Sequence, residues 1–354
     1  MGLSGRERSG LAAIAVATVA AAVANYAGAP AVLAFVVAAV ALAGQAWVVS
    51  FATEQVGEKL GPAATGFLQS TLGNLPELFV VIFALQKGEV VVAQTSIIGS
   101  LLANGLLVLG LVIVVGSRKS EDRYMRFSKR LPNDTATLML VTTFIIVIVA
   151  VAVSSHDAAG GHVRGISTIA AIALLIVYGA WVIPYLRTGG GHERGNGAAP
   201  SARVPVAVAA GLLAVAGVAA ALTSDWFISA LRPAIDQLGI SEAFAGLVIV
   251  AIAGNAVENA VGLVLAAKGD NDLAVSVIKN SVVQIAAFLY PVLILVSLLF
   301  ATHLTFALAP VYVVALGISA LLIWQVTGDG EAAEFEGWAL VAVYVIIGAI
   351  TLYE

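Results

Sequence analysis

The sequence predicts an all-α integral membrane protein of eleven transmembrane helices: one N-terminal helix followed by two inverted five-helix repeats. Three observations carry this. Hydrophobic residues make up 60% of the 354 positions and charged residues 11%, with a mean hydropathy of +1.02, whereas soluble domains average roughly half apolar and a quarter charged. The apolar residues fall into eleven runs of about twenty, the length that crosses a bilayer as a helix. Finally, one unit occurs twice. Gly73-Asn74-Leu75-Pro76-Glu77 leads through Lys87-Gly88-Glu89 to Gly99-Ser100, and Gly254-Asn255-Ala256-Val257-Glu258 leads through Lys268-Gly269-Asp270 to Asn280-Ser281. Glu77 to Lys87 and Glu258 to Lys268 are both ten residues, and Glu77 to Ser100 and Glu258 to Ser281 both twenty-three.

In chain order the expected spans are 10–28, 31–52, 63–86, 90–116, 135–153, 165–187, 204–224, 241–267, 271–300, 304–326 and 336–353. The first follows Arg6 and Arg8, but its apolar run is long for a signal peptide and ends in no clear cleavage site, so it is read as a helix. The domains that follow are residues 1–30 (N-terminal helix), 31–187 (first repeat, spans two to six), 188–203 (a Gly-rich flexible linker) and 204–354 (second repeat, spans seven to eleven). The polar gaps near 117–134 and 188–203 are linker-sized and leave no room for a nucleic-acid-binding domain; the lipid bilayer is the expected surrounding. The acidic loop from Gly328 to Glu336 reads as solvated surface. With no cysteine, the chain has neither disulfides nor thiolate metal ligands.

Lys and Arg set the orientation. With the N-terminus cytoplasmic, thirteen of the seventeen fall in inside segments and only Lys87, Arg164 and Arg232 outside, with Lys279 inside a span. Positive charge gathers on the cytoplasmic side, so the N-terminus is expected in the cytoplasm and the C-terminus outside it; short loops and small size point to a multi-pass protein of the cell (plasma or inner) membrane. Five helices per repeat is an odd number, so the second half enters with the opposite sense. Lys87-Gly88-Glu89 then turns outside and Lys268-Gly269-Asp270 inside.

Each unit sets an amide and a carboxylate three residues apart, on one helix face. An acid at bilayer depth is costly and by default functional, and acids at matching positions of two repeats suggest one shared site at their interface. Gly73-Asn74, Gly254-Asn255 and Pro76 should kink or open the helices there, and opened carbonyls at membrane depth are tolerated where they line a cavity. The oxygens on offer are the carboxylates of Glu77 and Glu258, the amides of Asn74 and Asn255, the hydroxyls of Ser100 and Ser281, and Gln94, Asn104, Asn280 and Gln284. Hard oxygens without sulfur or a central His suit calcium or another hard cation, with Glu77 and Glu258 as the metal ligands. Two ionised glutamates with one Ca²⁺ are neutral, as are two protonated ones alone, so either loaded state passes an apolar barrier at lower cost. Burial favours the neutral form of a carboxyl, so protons compete with the ion and Ca²⁺/H⁺ exchange follows. Lys279 is a candidate modulator, since a cation in the site favours a monovalent cargo. On a helical wheel it lies roughly 150° from the centre of Asn280, Ser281 and Gln284, which turns it elsewhere, toward Asp272.

An enzyme is not expected: His-Glu-x-x-His, Gly-x-Ser-x-Gly and an Asp cluster within a span are all absent from the sequence, and His156, His162, His192 and His303 fall near loops. A channel fits inverted repeats with two protonatable acids less well than alternating access does. No cofactor is called for; calcium enters as transported substrate, and a second copy of the chain is a candidate partner.

These motifs resemble the calcium/cation antiporter superfamily, most closely its cation/proton exchanger branch. Gly73-Asn74-Leu75-Pro76-Glu77-Leu78, Gln94-Thr95-Ser96-Ile97-Ile98-Gly99-Ser100-Leu101-Leu102-Ala103-Asn104 and Leu107-Val108-Leu109-Gly110 look like its first signature; Gly254-Asn255-Ala256-Val257-Glu258 and Ser281-Val282-Val283-Gln284-Ile285-Ala286 look like its second. The chain departs at Asn259, where His is usual, and at Asn280-Ser281-Val282, where Gly-Ser-Ser is. The resemblance implies an antiporter with Glu77 and Glu258 as shared calcium and proton carriers, exporting cytoplasmic Ca²⁺ against H⁺, with the second and seventh spans as gates. Leu75-Pro76 looks more like the sodium/calcium exchanger branch, which keeps Na⁺ or K⁺ exchange as the alternative.

Overall fold

The computed structural model describes residues 3–57, 72–128, 130–187 and 204–354. The linker at 188–203 and the first residues of the third expected span, 63–71, lie outside them. The helices are α1 (Gly5–Tyr26), α2 (Ala31–Gly57), α3 (Leu75–Gln86), α4 (Val90–Ser117), α5 (Arg130–Ser154), α6 (Val163–Arg187), α7 (Val206–Leu238), α8 (Glu242–Gly254), α9 (Ala256–Lys268), α10 (Asn271–Ser297), α11 (Pro310–Thr327) and α12 (Glu334–Leu352). Among the described residues nine helices are long and apolar enough to cross a membrane, and α8 with α9, bent by 60° at Asn255, make a tenth. The protein is therefore an all-helical, multi-pass membrane protein.

The most deeply buried of the spans, α4 and α10 form the centre, their polar residues turned inward with the rest. Small residues let their neighbours come close. A side chain at Gly99 would collide with the Leu247 backbone of α8, one at Gly246 with Thr95 of α4, and one at Gly110 would stand 2.6 Å from the Gly337 carbonyl of α12. Outside this centre α2 packs along α7. Gln45 of α2 ties α1 to both, donating to Thr18 Oγ1 at 3.0 Å and Thr223 Oγ1 at 2.9 Å.

Three expectations are corrected. The seventh span, placed at 204–224, continues as α7 to Leu238; Asp225, Arg232 and Asp236 lower the hydropathy there without ending the helix. The tenth begins at Pro310 rather than 304: residues 304–309 are apolar but form a tucked segment whose Leu304 and Phe306 N–H groups donate to Ser297 and Ser167 hydroxyls. The acidic loop is not merely solvated. Strand β2 (Glu331–Ala333) pairs antiparallel with β1 (Tyr124–Arg126), burying Ala332 against Met125 at 0% exposure each. Arg118 and Arg123 both reach Glu334 across this ribbon, at 2.7 and 2.8 Å. Alongside, the Arg126 guanidinium holds the Asp122 carboxyl below its usual range.

Candidate cation site between two broken helices

The backbone leaves the helical region at Asn74 (φ −83°, ψ 7°) and at Asn255 (φ −103°, ψ 16°). Pro76 stands at the second position of α3, where its missing N–H is one of the donors that a helix start leaves unpaired anyway. It opens a new helix rather than kinking a continuous one. The second break has no proline; there Asn255 Nδ2 donates to Ala251 O at 2.9 Å, competing with the backbone ladder as Asn side chains do. The two breaks put Glu77 and Glu258 at the same place, the third residue of α3 and of α9. Negative charge at a helix N-terminus is favoured by the aligned peptide dipoles.

The two breaks face each other. Glu258 Oε1 lies 2.7 Å from where a Cβ on Gly73 would stand, and Glu77 Cβ lies 3.9 Å from the same point on Gly254. Each glutamate thus packs against the other motif's glycine, which has no side chain to obstruct it, and the two carboxyls are near enough to interact electrostatically. A hydrogen-bonded chain joins the motifs beneath them. Asn255 Nδ2 donates to Ser100 Oγ at 2.8 Å; Asn104 Nδ2 donates to Asn255 Oδ1 at 3.0 Å and Ser281 Oγ at 3.2 Å. Asn104 lies in a π-helical stretch of α4, Ala103–Val108, and α10 has its counterpart at Ile285–Leu289; such bulges disturb the regular ladder and cluster at functional sites.

What this polar cluster lacks is donors. Ser100 and Asn255 adjoin Glu77, yet neither of its carboxyl oxygens receives a hydrogen bond of normal geometry, and the residue is only 3% exposed. Glu258 Oε2 and the side-chain oxygens of Asn104, Asn259 and Asn280 are also buried without a donor. Buried polar atoms are almost always paired, so acceptor oxygens gathered around two acids suit a hard cation or protons. Among the described residues no three acids or histidines converge, so any cation here relies on amides, hydroxyls and backbone oxygens beside the glutamates.

The structure brings Glu77, Glu258, Asn255, Ser100, Asn104 and Ser281 together, with Asn74 buried at the first break. Gln94 stands apart, its Nε2 donating at 3.3 Å to Ala307 O in the tucked segment before α11. Gln284 is buried beside Tyr178 of α6, and among the described residues Asn280 makes no bond to the polar cluster. Lys279 turns away from Ser281, as its wheel position implies, but not toward Asp272. Its Nζ donates to Thr327 Oγ1 at 2.5 Å, and Asp272 accepts from Ser128 N at 2.5 Å. Asn259, which the sequence reading names only as a departure from the family motif, adds a buried oxygen without a donor one helical turn beyond Asn255 on the same face.

The fold and this geometry define a multi-pass membrane protein in which two broken helices present paired acids to one another. The chain belongs to the sodium/calcium exchanger protein family, which matches it over residues 30–185 and 208–353. It is 31% identical to the Ca(2+)/H(+) antiporter ChaA of Bacillus subtilis, over 90% of this chain and 91% of that one. It is 28% identical to a Ca(2+)/H(+) antiporter of Aphanothece halophytica, over 89% and 88%. Of solved structures, native YfkE superposes with a TM-score of 0.79 at 27% identity, covering 98% of this chain and all 100% of that one. The H+/Ca2+ exchanger CAX, at 17% identity and a TM-score of 0.76 over 99% and 93%, shares the fold.

Proposed function

We propose that the chain is a secondary antiporter that exports cytoplasmic Ca²⁺ in exchange for H⁺ by alternating access, with Glu77 and Glu258 binding either the ion or protons. The observation that carries this is the facing pair of acids at the starts of α3 and α9, surrounded by donor-free oxygens. Two carboxylates and one divalent cation are neutral, and so are two carboxylic acids; a site that is neutral in both loaded states crosses the barrier between open states at least cost. The relatives named as Ca²⁺/H⁺ antiporters support the same cargo.

The reading includes eleven spans, with residues 72–86 as the described part of the third, and two inverted repeats at 31–187 and 204–354. The matched breaks at Asn74 and Asn255, and the matched π-helical stretches in α4 and α10, support it. The N-terminus is placed in the cytoplasm and the C-terminus outside, in a plasma or inner membrane. Na⁺ or K⁺ exchange remains the second reading. It rests on Pro76, since Lys279, though buried at 4% exposure, turns its ammonium away from Ser281 to Thr327.

Purified protein in proteoliposomes tests both. An imposed pH gradient drives Ca²⁺ accumulation, and Glu77→Gln or Glu258→Gln reduces it to the protein-free background. If Na⁺ or K⁺ collapses the gradient and Ca²⁺ does not, the second reading replaces the first.

A further inference from the structure

The two turns that close the repeated units are built alike. Gly88 (φ +79°) and Gly269 (φ +89°) hold the left-handed conformation open only to glycine at low cost. The following N–H reaches back the same way in each, Glu89 N to Ala84 O at 2.8 Å and Asp270 N to Leu265 O at 3.1 Å. Their surroundings differ. All three hydrogens of the Lys87 ammonium have an acceptor on α7: Asp225 Oδ1 at 2.6 Å, Asp225 O at 2.9 Å and Ser229 Oγ at 2.5 Å. One turn further along α7, Arg232 binds Glu89 Oε2 at 3.2 Å and Glu242 Oε1 of α8 at 2.6 Å. Among the described residues Lys268 and Asp270 make no side-chain ion pair, and both are exposed.

The helices behind the turns differ in the same direction. Half of α3 is buried, including Glu77, Val80, Val81, Ala84 and Leu85, where α7 covers it; on α9 only Gly262 and Ala266 are buried, and Glu258 is half-buried. On one side of the two-acid site α7 therefore covers α3. Since the turns fold identically without the ion pairs, the pairs are not needed to form the turn; they fasten it to α7.

We propose that the Lys87-Gly88-Glu89 turn and the outer end of α7 form an ion-pair latch, closed in this structure, which must part before the site can open on the α3 side. The inference rests on the alternating-access reading. It assigns Lys87, Asp225, Arg232, Glu89 and Glu242 to that latch.

The test needs no transported ion. The chain has no native cysteine, so Ile228→Cys, buried on α7 between the two latch contacts at 2% exposure, reports opening through its rate of maleimide labelling in purified, nanodisc-embedded protein. Lys87→Ala with Arg232→Ala speeds labelling about fivefold or more, the effect of removing several exposed ion pairs; Lys87→Arg keeps it slow, and Lys268→Ala leaves it unchanged. Unchanged labelling in the double variant overturns the latch, as does equal acceleration by Lys268→Ala, which marks general loosening. Faster labelling in a protein that moves no Ca²⁺ leaves the latch standing and removes the proposed cargo; Ca²⁺/H⁺ exchange with unaltered labelling does the reverse.

Discussion

At the scale of single residues, the site depends on side chains that are missing as much as on those present. Gly73 leaves the space that Glu258 Oε1 fills, so Gly73→Ala sets a methyl 2.7 Å from that oxygen and forces the carboxylate aside. Apparent Ca²⁺ affinity in the proteoliposome assay is expected to fall on the order of tenfold, about 1.4 kcal/mol, with the protein still folded by circular dichroism. The glutamates, Asn255, Ser100 and Ser281 are legible in the sequence because each recurs in register. Asn259 enters the sequence reading only as a departure from the family motif and not as a candidate ligand, because its counterpart is Leu78, and a repeat offers no second witness to a residue that occurs once. Gln94 groups with the site by its polarity within a span; its partner Ala307 lies in a segment that hydropathy counts as helix, so nothing in the residue pattern hints that it is drawn away.

At the scale of elements, contact between α4 and α8 is backbone against backbone. Gly99→Ala pushes a methyl into the Leu247 backbone, which cannot yield as a flexible side chain could. The expected cost is about 1–3 kcal/mol, read as a lower melting temperature in detergent, whereas Gly317→Ala, with nothing within 4 Å, leaves stability equal or higher. Spans announce themselves through hydropathy, an average over a window that follows composition rather than backbone bonding. Hence the charged outer end of α7 is cut off and the apolar residues 304–309 are over-counted. The β1–β2 ribbon escapes for another reason: three-residue strands carry no periodicity of their own, and their pairing joins segments some two hundred positions apart.

For the whole molecule, the proposed orientation places the β1–β2 ribbon and the turn at Gly269 in the cytoplasm and the latch outside. A reporter that is active only after export, such as alkaline phosphatase, fused after Glu354 is therefore expected to be active, and a cytosol-only fluorescent one dark. The opposite pattern would exchange the sides of the ribbon and the latch and reverse the direction of transport. Fold class is the most legible feature, because composition and a duplicated motif are properties of the entire chain. The mutual packing of the halves is the least. Sequence indicates that two acids belong together, but not that each lies against the other motif's glycine, since that depends on how helices cross rather than on where they start.

The polar chain from Ser100 through Asn255 and Asn104 to Ser281 also has a consequence for biosynthesis. Asn104 and Ser281 are 177 positions apart, an interval of roughly 10–35 s at the pace of a translating ribosome. Throughout it, the newly inserted N-terminal part holds the acid Glu77 and the amide Asn104 without the partners that Asn255, Glu258 and Ser281 later supply. A nascent chain in that condition depends on shelter from the insertion machinery. Slowed translation between the two parts is expected to lower the yield of assembled protein more than the same delay placed after Ser297.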